Sequence, residues 1–432
     1  MLNDMTESFS IAHLKVVNFK GVRHFDCDFS ESTNAIVGAN GAGKSTILCA
    51  INVLFSWFVA RVRNSKGNGD TIKDEDITKG ESECVLEVRL SNGVWWKLYK
   101  QRSSSRKKPT DKTNLTEMMN FINDVLIANE KEEDKAFLPL FASYGVNRVV
   151  EETPGRLFRD KALNPIDVYD DKLNRQLNYR SFFRWFNERE SVEDKEFRYN
   201  HGSFEPDVQL QAVRDAIEGV MPGYSKFHVK NSPHTFVLEK DGKEFNFDQL
   251  SDGEKSLVAM VGDIARKLAM THPNAEGAPI HSPGIILIDE LDLHLHPSWQ
   301  RDVLPRLKSI FIGCQFVITT HSPFILSNIN SAKEDRLFLM SDGEERIYSS
   351  NIFGSEVGKI LNEVLEMPSL RNSETDGNLS VLWDCLKAGD SSSEIYRHSY
   401  DWLKTHLNPS DIVFVEIAMQ QKINALKRER NA

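Results

Sequence analysis

Cysteine is scarce and scattered. Cys27, Cys49, Cys84, Cys314 and Cys385 are the whole complement in 432 residues, and no two form a Cys-x-x-Cys pair. That argues against a disulfide framework or a cysteine-based structural zinc and suits a reducing compartment, so a cytoplasmic location is expected. No unbroken apolar run is long enough to cross a bilayer, so no membrane partner is expected. The opening MLNDMTESFS lacks the basic, apolar, small-residue order of an export signal. An excess of positive charge is missing too: 53 Lys and Arg face 63 Asp and Glu, a net charge of -10. Any nucleic-acid contact must therefore come from a local patch. What remains is a globular balance, 40% hydrophobic and 27% charged, in a length suited to two or three units.

One stretch organises the rest: Gly38-Ala39-Asn40-Gly41-Ala42-Gly43-Lys44-Ser45-Thr46. Two glycines flank four residues and are followed by Lys and Ser, the P-loop pattern. Residues 33–37 predict a short buried strand before it, and 47–59 an apolar helix after it. Glycines let the backbone curl so that several N–H groups face phosphate oxygens, and the helix adds its positive end. Lys44 would reach the outer phosphates and Ser45 would hold Mg²⁺.

Around this loop the chain alternates between strands and helices. Residues 10–17 and 24–29 alternate apolar and polar, with Phe25, Cys27 and Phe29 on one face. Together with 33–37 they predict one mixed sheet. Lys20, in the turn between the first two strands, is either near a nucleotide or simply solvated. Residues 83–90 and 94–99 are strands joined at Ser91-Asn92-Gly93, a strong hairpin signal. Residues 97–108 are the densest basic stretch, suited to a phosphate backbone or to a solvated loop. Residues 114–129 predict a helix and 136–144 an apolar strand. Residues 154–223 are rich in charge and aromatics. Phe182, Phe183, Trp185 and Phe186 there are expected to form a small core rather than a base-stacking platform. A further helix follows Glu205-Pro206-Asp207. Residues 226–247 form hairpins that return the chain to the sheet.

The second group of motifs begins at Leu250-Ser251-Asp252-Gly253-Glu254, which opens a helix through Met270. Ser251 is placed to cap it, and Gly253 would let a phosphate approach the backbone. Ile285-Ile286-Leu287-Ile288 is a buried parallel strand ending in Asp289-Glu290. Acids at that end lie where α/β sheets bind ligands. Asp289 would hold Mg²⁺ and Glu290 would act as general base toward water. His294 and His296 have no Cys or third His near enough to complete a zinc set. Residues 315–320 form another strand, and His321 at its end is placed to sense a γ-phosphate or, alternatively, to be a core histidine.

Taken in order, these motifs resemble the ABC-type ATPase heads of the SMC, Rad50 and RecF group. Asn18-Phe19-Lys20 and the run 289–297 look more narrowly like AAA-family ATPases of bacterial anti-phage systems, of the Septu type also found beside some retrons. The resemblance covers most of 11–338. It implies an α/β fold: an ABC-type P-loop ATPase head of two lobes with a short helical arm insertion and a helical C-terminal region. The expected divisions are 1–153 (first lobe), 154–225 (arm), 226–350 (second lobe) and 351–432 (helical region). ATP and Mg²⁺ are the implied cofactors. Glu290 and His321 are the implied catalytic residues. By the same resemblance, residues Gly38 to Thr46, Ser251, Gly253 and Glu254 would contact nucleotide, and Ser45 and Asp289 would contact metal.

The resemblance also implies a homodimer or higher oligomer in which the Ser251 loop of one copy meets the nucleotide held by Lys44 of the other. It further implies a partner nuclease of the HNH type; 351–432 shows neither a dense acid cluster nor a His-Asn-His metal spacing, so cleavage chemistry is not expected in this chain itself. The alternative is a RecF- or Rad50-like DNA-repair ATPase that binds nucleic acid through 97–108. Two departures stand out. No Gln lies between Gln101 and Gln176 to join the lobes, which leaves Asn147 or a neighbour in 144–148 as replacement. The arm, about seventy residues, is too short for a long coiled coil.

Overall fold

The computed structural model describes residues 9–131, 138–148, 168–169, 177–199, 205–231, 234–272, 279–367 and 369–431. The chain divides into two compact units, Met1–Ile360 and Leu361–Ala432.

In the first unit, β1 (Ile11–Phe19) and β2 (Val22–Asp28) form an antiparallel hairpin with Phe19 opposite Val22. β3 (Thr33–Gly38) leads into the P-loop and helix α1 (Lys44–Arg63). β4 (Glu83–Leu90) and β5 (Trp95–Gln101) follow, with Gly93 at φ 86° in their turn, then helix α2 (Thr116–Lys131) and β6 (Leu140–Tyr144). Of the strand expected over 136–144, residues 136–137 lie outside the described residues.

The single mixed sheet expected from the first three strands does not form. β1 and β2 join β4 and β5 in an antiparallel sheet of order β2-β1-β4-β5, while β3 belongs to another sheet. The reason lies in the patterns. β1 buries only Ile11, Leu14, Val16 and Phe19 and β2 only Val22, Phe25 and Cys27, so each needs cover on one face; β3 is buried almost throughout and fits only between two layers. α1 lies between the two sheets. Its Phe55 stacks on Phe141 of β6 at 4.2 Å and meets Trp96 of β5 edge-on at 5.0 Å. Among the described residues α1 is the one helix that by length and composition alone could cross a bilayer, although Asn52 and Ser56 interrupt its apolar run. Ile47, Ile51, Leu54, Phe55 and Phe58 are instead buried in the unit.

Helices α3 (Tyr179–Tyr199) and α4 (Val208–Val220) come next; Asp207 caps α4 by accepting from the N–H groups of Gln209 and Leu210. β7 (Tyr224–Asn231), β8 (His234–Lys240) and β9 (Lys243–Asn246) form a three-stranded sheet of their own and do not rejoin the main sheet. Phe236 of β8 explains why: it packs on Phe182, Phe183 and Phe186 of α3 and on Phe227, at 4.5–5.3 Å between centroids. The aromatics of α3 are thus a core shared with this hairpin. Of the expected arm, 154–167, 170–176 and 200–204 lie outside the described residues.

α5 (Asp252–Thr271) follows, then β10 (Gly284–Ile288), α6 (Pro297–Ile310), β11 (Cys314–Thr319), short α7 (Pro323–Leu326), β12 (Arg336–Ser341) and β13 (Glu344–Ile347). The central sheet has the order β13-β12-β3-β11-β10-β6. It is parallel except for β13. The segments after β3, β6, β10 and β11 therefore all emerge at one edge.

After α8 (Val357–Glu363), the second unit is helical: α9 (Ser373–Lys387), α10 (Glu394–His406) and α11 (Ile412–Asn431). Leu379, Leu382, Leu386, Tyr396, Leu403, Val413 and Ile417 form its core. Asp411 takes a two-pronged ion pair from Arg371 at 2.9 and 2.7 Å and accepts the Val413 N–H at the start of α11.

Candidate nucleotide site

The P-loop backbone is built from conformations that side chains resist. Gly38, Gly41 and Gly43 have φ of 150°, 82° and 109°. A Cβ on Gly38 would stand 2.3 Å from the Met340 carbonyl oxygen, so this glycine is fixed by packing against β12 as well as by its φ. Lys44 is buried, and its Nζ donates to the carbonyls of Gly38 at 2.9 Å and Ala39 at 3.0 Å. Burial lowers its pKa, while Glu290, Asp289 and Asp292 oppose that shift. The negative field of those carboxylates is thus aimed at the lysine.

Ser45 Oγ donates to Asp289 Oδ1 at 3.0 Å, joining the start of α1 to the end of β10. The same Asp289 oxygen accepts from Thr319 Oγ1 at 2.6 Å. Thr319 Oγ1 in turn accepts the Glu290 backbone N–H at 2.7 Å. Glu290 has φ 51°, unusual for a non-glycine residue. Arg148, just beyond β6, holds that turn from below: its Nη2 donates to the carbonyls of Asp289, at 3.0 Å, and of Glu290. Burial lowers the Arg148 pKa, against the pull of Asp289, Asp292 and Glu290. Asp292 accepts from Thr320 Oγ1 at 2.6 Å and from the His321 N–H at 3.2 Å. His321 is half-buried at the same edge.

The structure therefore brings Lys44, Ser45, Asp289 and Glu290 together, with His321 on the adjoining strand end. Ser251, Gly253 and Glu254 form a separate group at the start of α5. Ser251 and Glu254 make a reciprocal capping box, and Glu254 also accepts from Tyr224 Oη at 3.3 Å. Gly253 is buried, and a Cβ there would stand 2.2 Å from the His294 carbonyl oxygen. The glycine is thus required by packing within the chain, in addition to any role toward a ligand. His296 caps α6 through Ser298.

Two residues escaped the sequence reading. Thr319 is the polar last residue of β11, directly after the apolar run Phe316-Val317-Ile318, and that position was its signal. Arg148 lay in the segment expected to replace the lobe-joining glutamine, but Asn147 is exposed and the arginine is what reaches the site. In the basic stretch, Lys97 pairs with Asp111 at 2.7 Å and Lys100 with Asp74 at 3.4 Å. Arg102 donates to the carbonyls of Ile77, Thr78 and Glu81. Arg106, Lys107 and Lys108 are left exposed.

These residues fit a magnesium nucleotide. The oxygens of Ser45 and Asp289 are hard donors of the kind Mg²⁺ takes. Gly38, Gly41 and Gly43 give the loop the positive-φ turns that a phosphate cradle needs. Lys44 Nζ, held by the Gly38 and Ala39 carbonyls and facing the field of Asp289, Glu290 and Asp292, is a cation of the kind an outer phosphate takes.

Comparison with known proteins gives relatives of similar length. The chain is 25% identical to "Retron Ec83 probable ATPase" of Escherichia coli, over 95% of this chain and 86% of that one. It is 27% identical to "Retron Vc95 probable ATPase" of Vibrio cholerae serotype O1 biovar El Tor, over 87% and 82%. It is 24% identical to "Septu protein PtuA" of Bacillus thuringiensis, over 84% and 85%. A family match spans residues 87–327, more than half of the 432, from β4 through the Asp289-Glu290 turn to His321. On that span the chain belongs to the family described as "AAA domain, putative AbiEii toxin, Type IV TA system".

Proposed function

We propose that this chain is an ATP-binding and ATP-hydrolysing subunit of a bacterial anti-phage defence complex, acting in the cytoplasm, in which ATP-dependent pairing of two heads controls a partner nuclease of the HNH type. The observation that carries the reading is the contact of Ser45 with Asp289, next to Glu290, at the carboxyl edge of the parallel sheet. The names of the retron and Septu relatives support the defence setting.

Mg²⁺, held by Ser45 and Asp289, would supply neutralisation of charge on the outer phosphate oxygens. The backbone N–H groups of Gly38 to Thr46 bind phosphate, and Lys44 exchanges its two carbonyl partners for phosphate oxygens. Glu290 accepts a proton from the attacking water. Thr319 and Arg148 fix the turn that aims Glu290, and His321 hydrogen-bonds the γ-phosphate. Ser251, Gly253 and Glu254 of a second copy close over that phosphate. Nucleotide shifts the open-to-closed equilibrium because only the closed pair touches it from both sides.

The test is gel filtration with light scattering, beside phosphate release. Lys44→Ala is expected to lose ATP binding. Glu290→Gln is expected to bind ATP, fall at least 100-fold in turnover and accumulate as an ATP-dependent pair. A Glu290→Gln protein whose assembly ignores ATP refutes the closure mechanism. The exposed Arg106, Lys107 and Lys108 support a second reading, a DNA-repair ATPase that binds DNA directly. Salt-dependent DNA binding by the purified chain, abolished when these three become alanine, would favour it.

A further inference from the structure

The last helix carries an apolar stripe that its own unit does not cover. One face of α11 packs inward: Val413 and Ile417 are buried, Gln421 Nε2 donates to Tyr396 Oη at 2.7 Å, and Asn424 Nδ2 donates to the Leu386 carbonyl at 2.6 Å. Those contacts fix the rotation of the helix. They leave Ile412, Val415, Met419, Ile423 and Leu426 on the opposite face, 68%, 54%, 61%, 45% and 63% exposed. The spacings of three and four residues are those of a coiled-coil seam.

The stripe is self-complementary. Turned end for end about Met419, it sets Ile412 opposite Leu426, Val415 opposite Ile423 and Met419 opposite itself. The charges beside it are segregated: exposed Glu416 lies toward one end, exposed Lys422 and Lys427 toward the other. An antiparallel pair brings each Glu416 to the partner's basic end. A parallel pair sets like against like.

We infer that α11 pairs with α11 of a second copy of this chain, antiparallel about a two-fold axis at Met419, as a nucleotide-independent contact. A self-complementary patch of this kind is what an isologous interface requires. The stripe is about 21 Å long, so the contact is smaller than the roughly 800 Å² per partner of a standard interface, and the pairing is weak and concentration-dependent. Its effect is to hold two chains at high local concentration before ATP arrives. It uses none of the nucleotide-site residues, so it stands or falls separately from the head closure proposed above.

The experiment is sedimentation velocity on the full-length protein without nucleotide, from about 1 to 100 μM. Wild type and Lys44→Ala are both expected to dimerise with rising concentration. Met419→Glu, which places two acids across the axis, is expected to raise the dimer dissociation constant at least tenfold with unchanged circular dichroism. Ile423→Ser serves if the first variant misfolds. Glu416→Lys weakens the pair, and adding Lys422→Glu and Lys427→Glu restores it. Orientation is read by oxidation. Met419→Cys and the double variant Ile412→Cys, Leu426→Cys form linked dimers above the wild-type background, and Ile412→Cys alone does not. A monomeric wild type at 100 μM, a dimer indifferent to Met419→Glu, or cross-linking by Ile412→Cys alone overturns the inference.

Discussion

Ser45 and Asp289 lie 244 positions apart in sequence and 3.0 Å apart in space. Their contact fastens the P-loop helix to the strand that carries the acids. Asp289 is held by a second hydroxyl, Thr319, which also receives the Glu290 N–H. Thr319→Val keeps the shape and removes both links. The expected result is a loss of about 1–3 kcal/mol in stability, with nucleotide affinity within a few-fold of wild type and turnover down at least tenfold. Ser45→Ala, by contrast, is expected to weaken the dependence of nucleotide binding on Mg²⁺. Nucleotide titrations at several Mg²⁺ concentrations, beside phosphate release, separate the two variants; equal effects on binding would refute this division of roles.

Arg148 is a buried cation whose partners are mainly backbone. Arg148→Leu leaves the carbonyls of Asp289 and Glu290 without that donor. A cost of about 2–4 kcal/mol is expected in urea denaturation, because buried acceptors lose their bonds. Since Glu290 sits at φ 51°, the same change is expected to lower turnover more than binding. Full turnover in a destabilised Arg148→Leu protein would show that the arginine supports the fold alone.

Acid sensitivity should trace to Asp263, buried on α5. Burial by itself would raise its pKa, but Lys267 and Arg266 outweigh that and hold it at about 2. A carboxyl whose native pKa lies below its ordinary 3.8 adds stability above that value and loses it as pH falls toward 2. The contribution is about 2 kcal/mol at neutral pH. Urea midpoints measured from pH 5 down to pH 2 should fall for the wild type. Asp263→Asn should start roughly 3 kcal/mol lower, since buried Arg266 and half-buried Lys267 lose their partner, and decline less steeply with acid.

How far the sequence foretold this arrangement depended on whether a signal was local. The P-loop, the Asp289-Glu290 strand end and the Ser251 cap are legible because their chemistry is set by neighbours in the chain. Sheet membership was not legible. Whether β3 pairs with β2 or with β11 depends on segments hundreds of residues away, and only the contrast between an alternating and a fully buried pattern hinted at the answer. Gly253 shows a subtler limit. Its sequence context suggests a ligand, yet the His294 carbonyl beside it already requires the absence of a side chain. Arg148 could not be found by motif, since what defines it is the turn it braces.

The strand order carries a consequence for synthesis. β3 precedes the P-loop, yet both its neighbours, β11 and β12, are translated near the end of the first unit. Thr33 waits for Asp335, 302 positions later, to receive its N–H. At roughly 5–20 residues per second, that leaves a bare apolar strand on the ribosome for about 15–60 s. Until then the nascent chain has two open strand edges and no finished phosphate cradle. A product truncated before β11 would be a sticky fragment rather than a weak enzyme, and its handling by chaperones would decide how much active protein a cell obtains.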